Sequence, residues 1–240
     1  TSTNTTWHFA EGWTGDSWET YVLIGNFGTL PALVTATYNV FGQSTVARTL
    51  TVGPGTRATF VGQAVTTGVG PGLAFGVTVT SSVPIVAQQI LLDPKPGVEL
   101  AHGVIGANAL STQFTFGGGT SEAGWLTFVS ATNPSSSPVS VTATYYFEAA
   151  IAPESRTITV GGNSRATFSA TDVNTGVPAG QRFGVKVTAG APIISQEVVI
   201  DLVRYFALSA AGCRMCVGSP RGMHGFNQYV RRRGAPRRAA

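Results

Sequence analysis

Four side chains close to the start of the chain have the types that chemistry uses: His8, Glu11, Trp13 and Asp16 lie within nine residues. An imidazole flanked by two carboxylates could take and return a proton at neutral pH. An indole among polar groups could instead stack on the face of a sugar. The chain repeats itself, however, and the second copy carries Thr115, Gly118 and Thr120 where the first has His8, Glu11 and Trp13. Both copies keep an aromatic (Phe9 and Phe116), a glycine (Gly12 and Gly119) and a tryptophan (Trp18 and Trp125). Core and turn structure is therefore the plainer reading, and a sugar-stacking surface on Trp13 the alternative.

Three other groups invite a chemical reading. Asp93 and Asp201 recur at the end of the last strand of each copy. Paired carboxylates cleave glycosides when they flank one bond, but these two belong to different copies, so a turn cap is expected. Gln88 and Gln196 also recur, at the parity of Val86 and Ile90 and of Ile194 and Val198, and read as buried amides bonded to backbone. Cys213-Arg-Met-Cys216 is a single C-x-x-C with only His224 nearby. A zinc site wants a second ligand pair, and a redox pair wants a βαβ setting, so no metal or cofactor is expected. Gly117-Gly-Gly119 lacks the strand–loop–helix context and the lysine of a phosphate loop. Nothing pairs a nucleophile with a base, and an enzyme is not expected.

The elements that hold these residues are written in the repeat. Arg48-Thr-Leu-Thr-Val-Gly-Pro-Gly-Thr-Arg-Ala-Thr-Phe60 returns as Arg156-Thr-Ile-Thr-Val-Gly-Gly-Asn-Ser-Arg-Ala-Thr-Phe168, identical at nine of thirteen positions. Leu50 becomes Ile158 on the same face of an alternating strand, and Gly55 becomes Asn163, the two residue types that best accept a positive φ. The stretch reads as strand, tight turn, strand. Parity points Phe60 and Phe168 inward and sends Arg57 and Arg165 to solvent. Val34-Thr-Ala-Thr-Tyr38 is answered by Val141-Thr-Ala-Thr-Tyr145, Phe75-Gly-Val77 by Phe183-Gly-Val185, and Pro84-Ile85 by Pro192-Ile193. Strands spaced at 8–12 residues, with Ser81–Pro84 as a turn before the last, predict seven per copy.

The expected fold is all-β: two tandem immunoglobulin-like antiparallel β-sandwiches with a basic, disordered C-terminal tail. The boundaries follow the repeat: residues 1–93, a packed apolar linker 94–112, residues 113–206, and a tail 207–240. Composition agrees, since 43% of residues are hydrophobic and only 11% charged, with 30 glycines. The net charge of +4 divides into −3 for residues 1–206 and +7 for the tail, so the body is not a basic surface and no specific nucleic-acid partner is expected. The tail could meet an anionic polymer, and it equally fits disorder or translation out of frame. No apolar run is long enough for a membrane span. The body has no cysteine, no signal peptide is visible, and Thr1–Thr6 resembles the start of a processed secreted chain.

Trp7-His-Phe-Ala-Glu-Gly-Trp-Thr14, Asn26, Val34–Tyr38, Phe75–Ser82, Pro84–Ala87 and the linker His102-Gly-Val-Ile-Gly-Ala107 resemble a family of bacterial extracellular tandem β-sandwich repeats with a Trp-x-Phe-Ala-Glu-Gly-x-Thr opening. The resemblance covers residues 7–201 and is better in the first copy, because Phe116-Gly-Gly-Gly119 departs from the opening. It implies a secreted or cell-surface setting and no catalytic residues. The expected function is a structural or adhesive protein, a filament or surface-layer subunit, with self-association or other cell-envelope proteins as partners. A carbohydrate-binding module, with a glycan on Trp13, is the alternative. Thr1–Thr6, being β-prone, is a candidate donor strand for a neighbour's sheet edge.

Overall fold

A computed structural model describes residues 2–95, 100–148, 150–202 and 228–229. The tail features named above, Cys213, Cys216, His224 and the arginines, lie outside the described residues. The fold is all-β and forms two sheets. The first contains β1 (Asn4–Phe9), β2 (Glu19–Asn26), β3 (Ala32–Val40), β4 (Val46–Val52), β5 (Thr56–Val61), β6 (Phe75–Asp93) and β7 (Leu100–Ile105). The second contains β8 (Ser111–Thr120), β9 (Trp125–Asn133), β10 (Val139–Phe147), β11 (Glu154–Val160), β12 (Ser164–Ser169) and β13 (Arg182–Asp201). A two-residue strand, β14 (Gln228–Tyr229), pairs with β7 on the edge of the first sheet. Among the described residues no helix is long and apolar enough to cross a membrane.

Each sheet turns about one long strand. The front of β6 pairs with β1 and β3, with β4 outside β3, whereas its back pairs with β2 and β7, with β5 outside β2. Front and back thus serve two arms, and the sheet curls round into an almost closed, barrel-like shape. In the second sheet β13 does the same, pairing first with β8 and β10 and then with β9. Ser81–Pro84, expected to be a turn, does not reverse the chain. The register against β1 jumps from Thr6↔Thr80 to Asn4↔Ile85, so the extra residues bulge and β6 runs on as one strand of 19 residues. Ala189–Pro192 marks the same shift in β13. A bulge tolerates Pro84, which cannot donate to a ladder, and adds the twist that swings the strand from one arm to the other.

The doubled stretch is likewise no hairpin. β4 pairs with β3 and β5 with β2, so the turn at Gly53–Gly55 carries the chain between arms. Gly55 has φ +63° and its counterpart Asn163 φ +51°, the left-handed conformation that Gly and Asn adopt at least cost. Leu100–Ile105, read from sequence as part of a linker, is an added strand on the edge of β6. Residues 4–6, considered above as a donor for a neighbour, are already paired with β6 in their own sheet.

Two cores fill the sheets. The first gathers Trp7, Phe9, Ile24, Val34, Tyr38, Phe60, Phe75 and Ile85, all essentially inaccessible, and the second Val129, Val141, Tyr145, Phe168, Phe183 and Ile193. Alternation puts these residues on one face of each strand. Tyr38 meets Phe75 edge-on with ring centroids 5.2 Å apart, and Tyr145 meets Phe183 at 5.1 Å. Each tyrosine hydroxyl donates to a loop carbonyl, Thr67 O or Thr175 O, at 2.9 Å. That lets a ring fill the core without stranding its polar end, and burial pushes both phenols well above the usual tyrosine range. Asn26 and Asn133 form a second matched clasp, donating to Val52 O and Val160 O. Trp18 and Trp125 are only half-buried; their amides close equivalent turns onto Gly15 O and Glu122 O.

Candidate interface between the two sheets

His8, Glu11, Trp13 and Asp16 do not converge on one centre. His8 lies on the outer face of β1, with its backbone bridged to Ala107 and Nδ1 3.1 Å from Thr78 Oγ1. Burial holds its pKa below the ordinary histidine value. Trp13 bonds through its backbone to the Thr20 hydroxyl, and its half-buried indole folds over Gly15, where an added Cβ would meet the ring. Asp16 sits exposed in the turn that follows, at φ +56°. Glu11 turns away from all three.

The partner of Glu11 is Arg165 in β12 of the other sheet. Arg165 Nη2 lies 2.8 Å from Glu11 Oε2, Nη1 lies 3.3 Å from Oε1, and Nη1 also reaches Gly12 O at 3.4 Å. Two donors on two oxygens is the fork geometry that makes arginine the residue of choice for a carboxylate. Ser130 in β9 donates to Glu11 Oε2, and Arg165 Nη2 also contacts Ser130 Oγ at 2.6 Å and Thr167 Oγ1. Thr132 Oγ1 donates to Ala10 O at 3.1 Å, next to Gly76, where an added Cβ would lie 2.6 Å from the Thr132 Cβ. Arg165 is 4% exposed, Ser130 0% and Thr132 1%.

Strand parity does place Arg165 opposite Phe168, but the expectation that this face meets water fails. The outer face of β9, β12 and the back of β13 is covered by the corner of the first sheet formed after β1 and beside β3 and β6. Only the first member of the pair keeps its expected exposure: Arg57 is exposed. Glutamine parity needs the same correction. Gln88 points outward and is exposed, and the buried amide of β6 is its neighbour Gln89, because the alternation that buries Val77 and Val79 runs on in phase through Ile85 and Ala87. Gln196 sits at the position of Gln88 but is buried, since its face is the covered one.

Glu197 matches Gln89 and points into the second sheet's interior. Burial raises its pKa to about 7 despite a hydrogen bond from the Gly118 backbone, and its Oε1 has no partner among the described residues. Asp93, also buried, accepts from Ser17 Oγ at 2.6 Å and from the Lys95 amide at 3.3 Å, the end-of-strand cap that its place suggests. Among the described residues no group of three or more His, Cys, Asp or Glu side chains could hold a metal ion. A shallow groove of about 310 Å³ runs along the contact, lined by Phe41 and Ala74 from the first sheet and by Ile158, Arg165, Ala166 and Thr167 from the second.

The arrangement is a plug and socket. A carboxylate on a tight corner enters a face whose polar groups are turned to meet it, and both ions leave water together. The sequence carried one signal for it: Glu11 has a counterpart in Gly118, whereas Arg165 has one in Arg57, so the carboxylate is peculiar to one copy. No family model matches the chain, and no curated protein does. Among solved structures, the one described as the crystal structure of Thermotoga maritima 1070 aligns over 44% of this chain and 94% of its own, at 18% identity and a TM-score of 0.40.

Proposed function

We propose that the chain is a non-catalytic structural protein of the bacterial cell surface, built of two tandem immunoglobulin-like β-sandwiches, residues 1–93 and 113–206. Its role is to associate with copies of itself or with other envelope proteins as a filament or surface-layer subunit. The observation that carries the reading is the buried Glu11–Arg165 contact, which joins the two sheets through side chains rather than through the linker alone. A stiff joint of this kind suits a load-bearing array. The four polar and aromatic residues nearest to a site are spread over separate environments, which weighs against catalysis.

The test is the assembly state of the purified chain by electron microscopy and light scattering. Ordered polymers are expected; a monomer at every concentration would overturn the proposal. One observation favours a second reading, a carbohydrate-binding module. The Trp13 indole is only half-buried beside exposed Asp16, on a corner free to meet a glycan.

A further inference from the structure

The covered face of the second sheet has an uncovered equivalent in the first. β2, β5 and the back of β6 match β9, β12 and the back of β13 pair by pair: Gly25↔Arg57 corresponds to Thr132↔Arg165, and Leu23↔Gln88 to Ser130↔Gln196. In the second sheet Ser130, Thr132, Arg165 and Gln196 are buried. In the first, Arg57 and Gln88 are exposed and Leu23 and Gly25 half-exposed. Phe27, 75% exposed, lies against Gly25 on this open face.

The second sheet in turn has an unused copy of the corner that does the covering. Phe41 N bonds Ala74 O on the used corner, and Glu148 N bonds Arg182 O on the other, so Glu148 stands where Phe41 stands and Arg182 where Ala74 stands. Phe41 and Ala74 share a groove with Arg165. The same fit at the free ends would bring Glu148 beside Arg57. Arg182 would be close as well, but its charge is met by Glu122 at 3.0 Å. The free corner therefore offers an exposed carboxylate, near an arginine it shares with Glu122, to the exposed Arg57 guanidinium. It also offers Gly184 where the used corner has Gly76, leaving room for Phe27 where the used contact has Thr132.

We infer that the face around Arg57 is a socket for the Glu148 corner of a second copy of this chain, so that copies stack head to tail with the relation that already joins the two sheets. Such a contact is heterologous, so repetition joins copies head to tail into a ring or an open strand according to the rotation it carries. This rests on the structural reading proposed above and assigns its surfaces. Glu11 is already held by Arg165 within its own chain, so a second copy must use Glu148.

The test uses the full chain and two charge reversals at exposed positions, Arg57→Glu and Glu148→Arg, each checked for an unchanged melting transition. Sedimentation and electron microscopy should show wild-type association that either variant weakens by roughly thirtyfold or more. An equimolar mixture of the two should restore long assemblies. In the mixture every Glu148 can meet an Arg57 and every introduced arginine an introduced glutamate. If wild-type polymers form and neither variant changes them, this inference is overturned while the structural reading stands. If wild-type chains stay monomeric throughout, both fall.

Discussion

The buried ion pair between the sheets makes a quantitative demand. Replacing Arg165 with alanine would leave Glu11 enclosed, with a hydroxyl from Ser130 as its remaining side-chain donor. Removing one partner of a buried pair costs about 3–5 kcal/mol, because the other charge must stay desolvated. The exposed pair Arg182–Glu122 is an internal control, since its arginine side chain is 62% exposed and solvent screening leaves its removal with little effect. Replacing both Glu11 and Arg165 with neutral residues of similar volume should recover much of the loss, as no uncompensated charge remains. Urea denaturation at constant pH, run as a double-mutant cycle, supplies these numbers. The reasoning fails if Arg165→Ala costs no more than Arg182→Ala, since Glu11 would then be reaching water.

Further outcomes follow from neighbouring features. Glu197 has a folded-state pKa of about 7 against an unfolded value near 4.5, so the folded state holds its proton longer. Its contribution therefore weakens stability as pH rises through that window, by ~3 kcal/mol in total at ~1.4 kcal/mol per pH unit. His8 and His102, both lowered by burial, act the other way, losing stability as pH falls through the ordinary histidine range. The informative quantity is thus the difference between wild type and Glu197→Gln, the amide that Gln89 already supplies in the first sheet. The variant should be more stable above pH 7 and about equal below pH 4.5, and chemical denaturation across pH will show it. Gly76→Val drives a side chain into Thr132 and should cost about 1–3 kcal/mol by the same denaturation measurement, whereas Gly184→Val at the open corner should cost less. For the carbohydrate reading, a glycan array should show weak binding that Trp13→Ala removes; no binding at all retires that reading.

Much of the fold was legible because strand parity is a local signal. Val34, Ala36, Tyr38 and Val40 alternate with polar residues, and their copies do the same, so the cores around Phe60 and Phe168 could be read from period and repetition. Pairing was not legible, because the register of a strand depends on a partner far along the chain. Pro84 looked like a turn residue and is instead part of a bulge in a continuous strand. Gln88 and Gln89 exchanged roles because Val86 and Ile90 are as apolar as Ile85 and Ala87, so the sequence does not say which face of this stretch is the inner one. The contact between the sheets was legible least of all. Arg57 and Arg165 have nearly identical local sequences, and only the arrival of Glu11 at one of them separates an exposed arginine from a buried one.

The two long strands have a mechanical consequence. Tension entering at β1 loads a ladder in shear against the front of β6, and β6 continues unbroken into the other arm. Force on one arm is therefore delivered to both, with no hinge between them to yield first. A chain of such units pulled from its ends would hold its length and then give way a whole unit at a time.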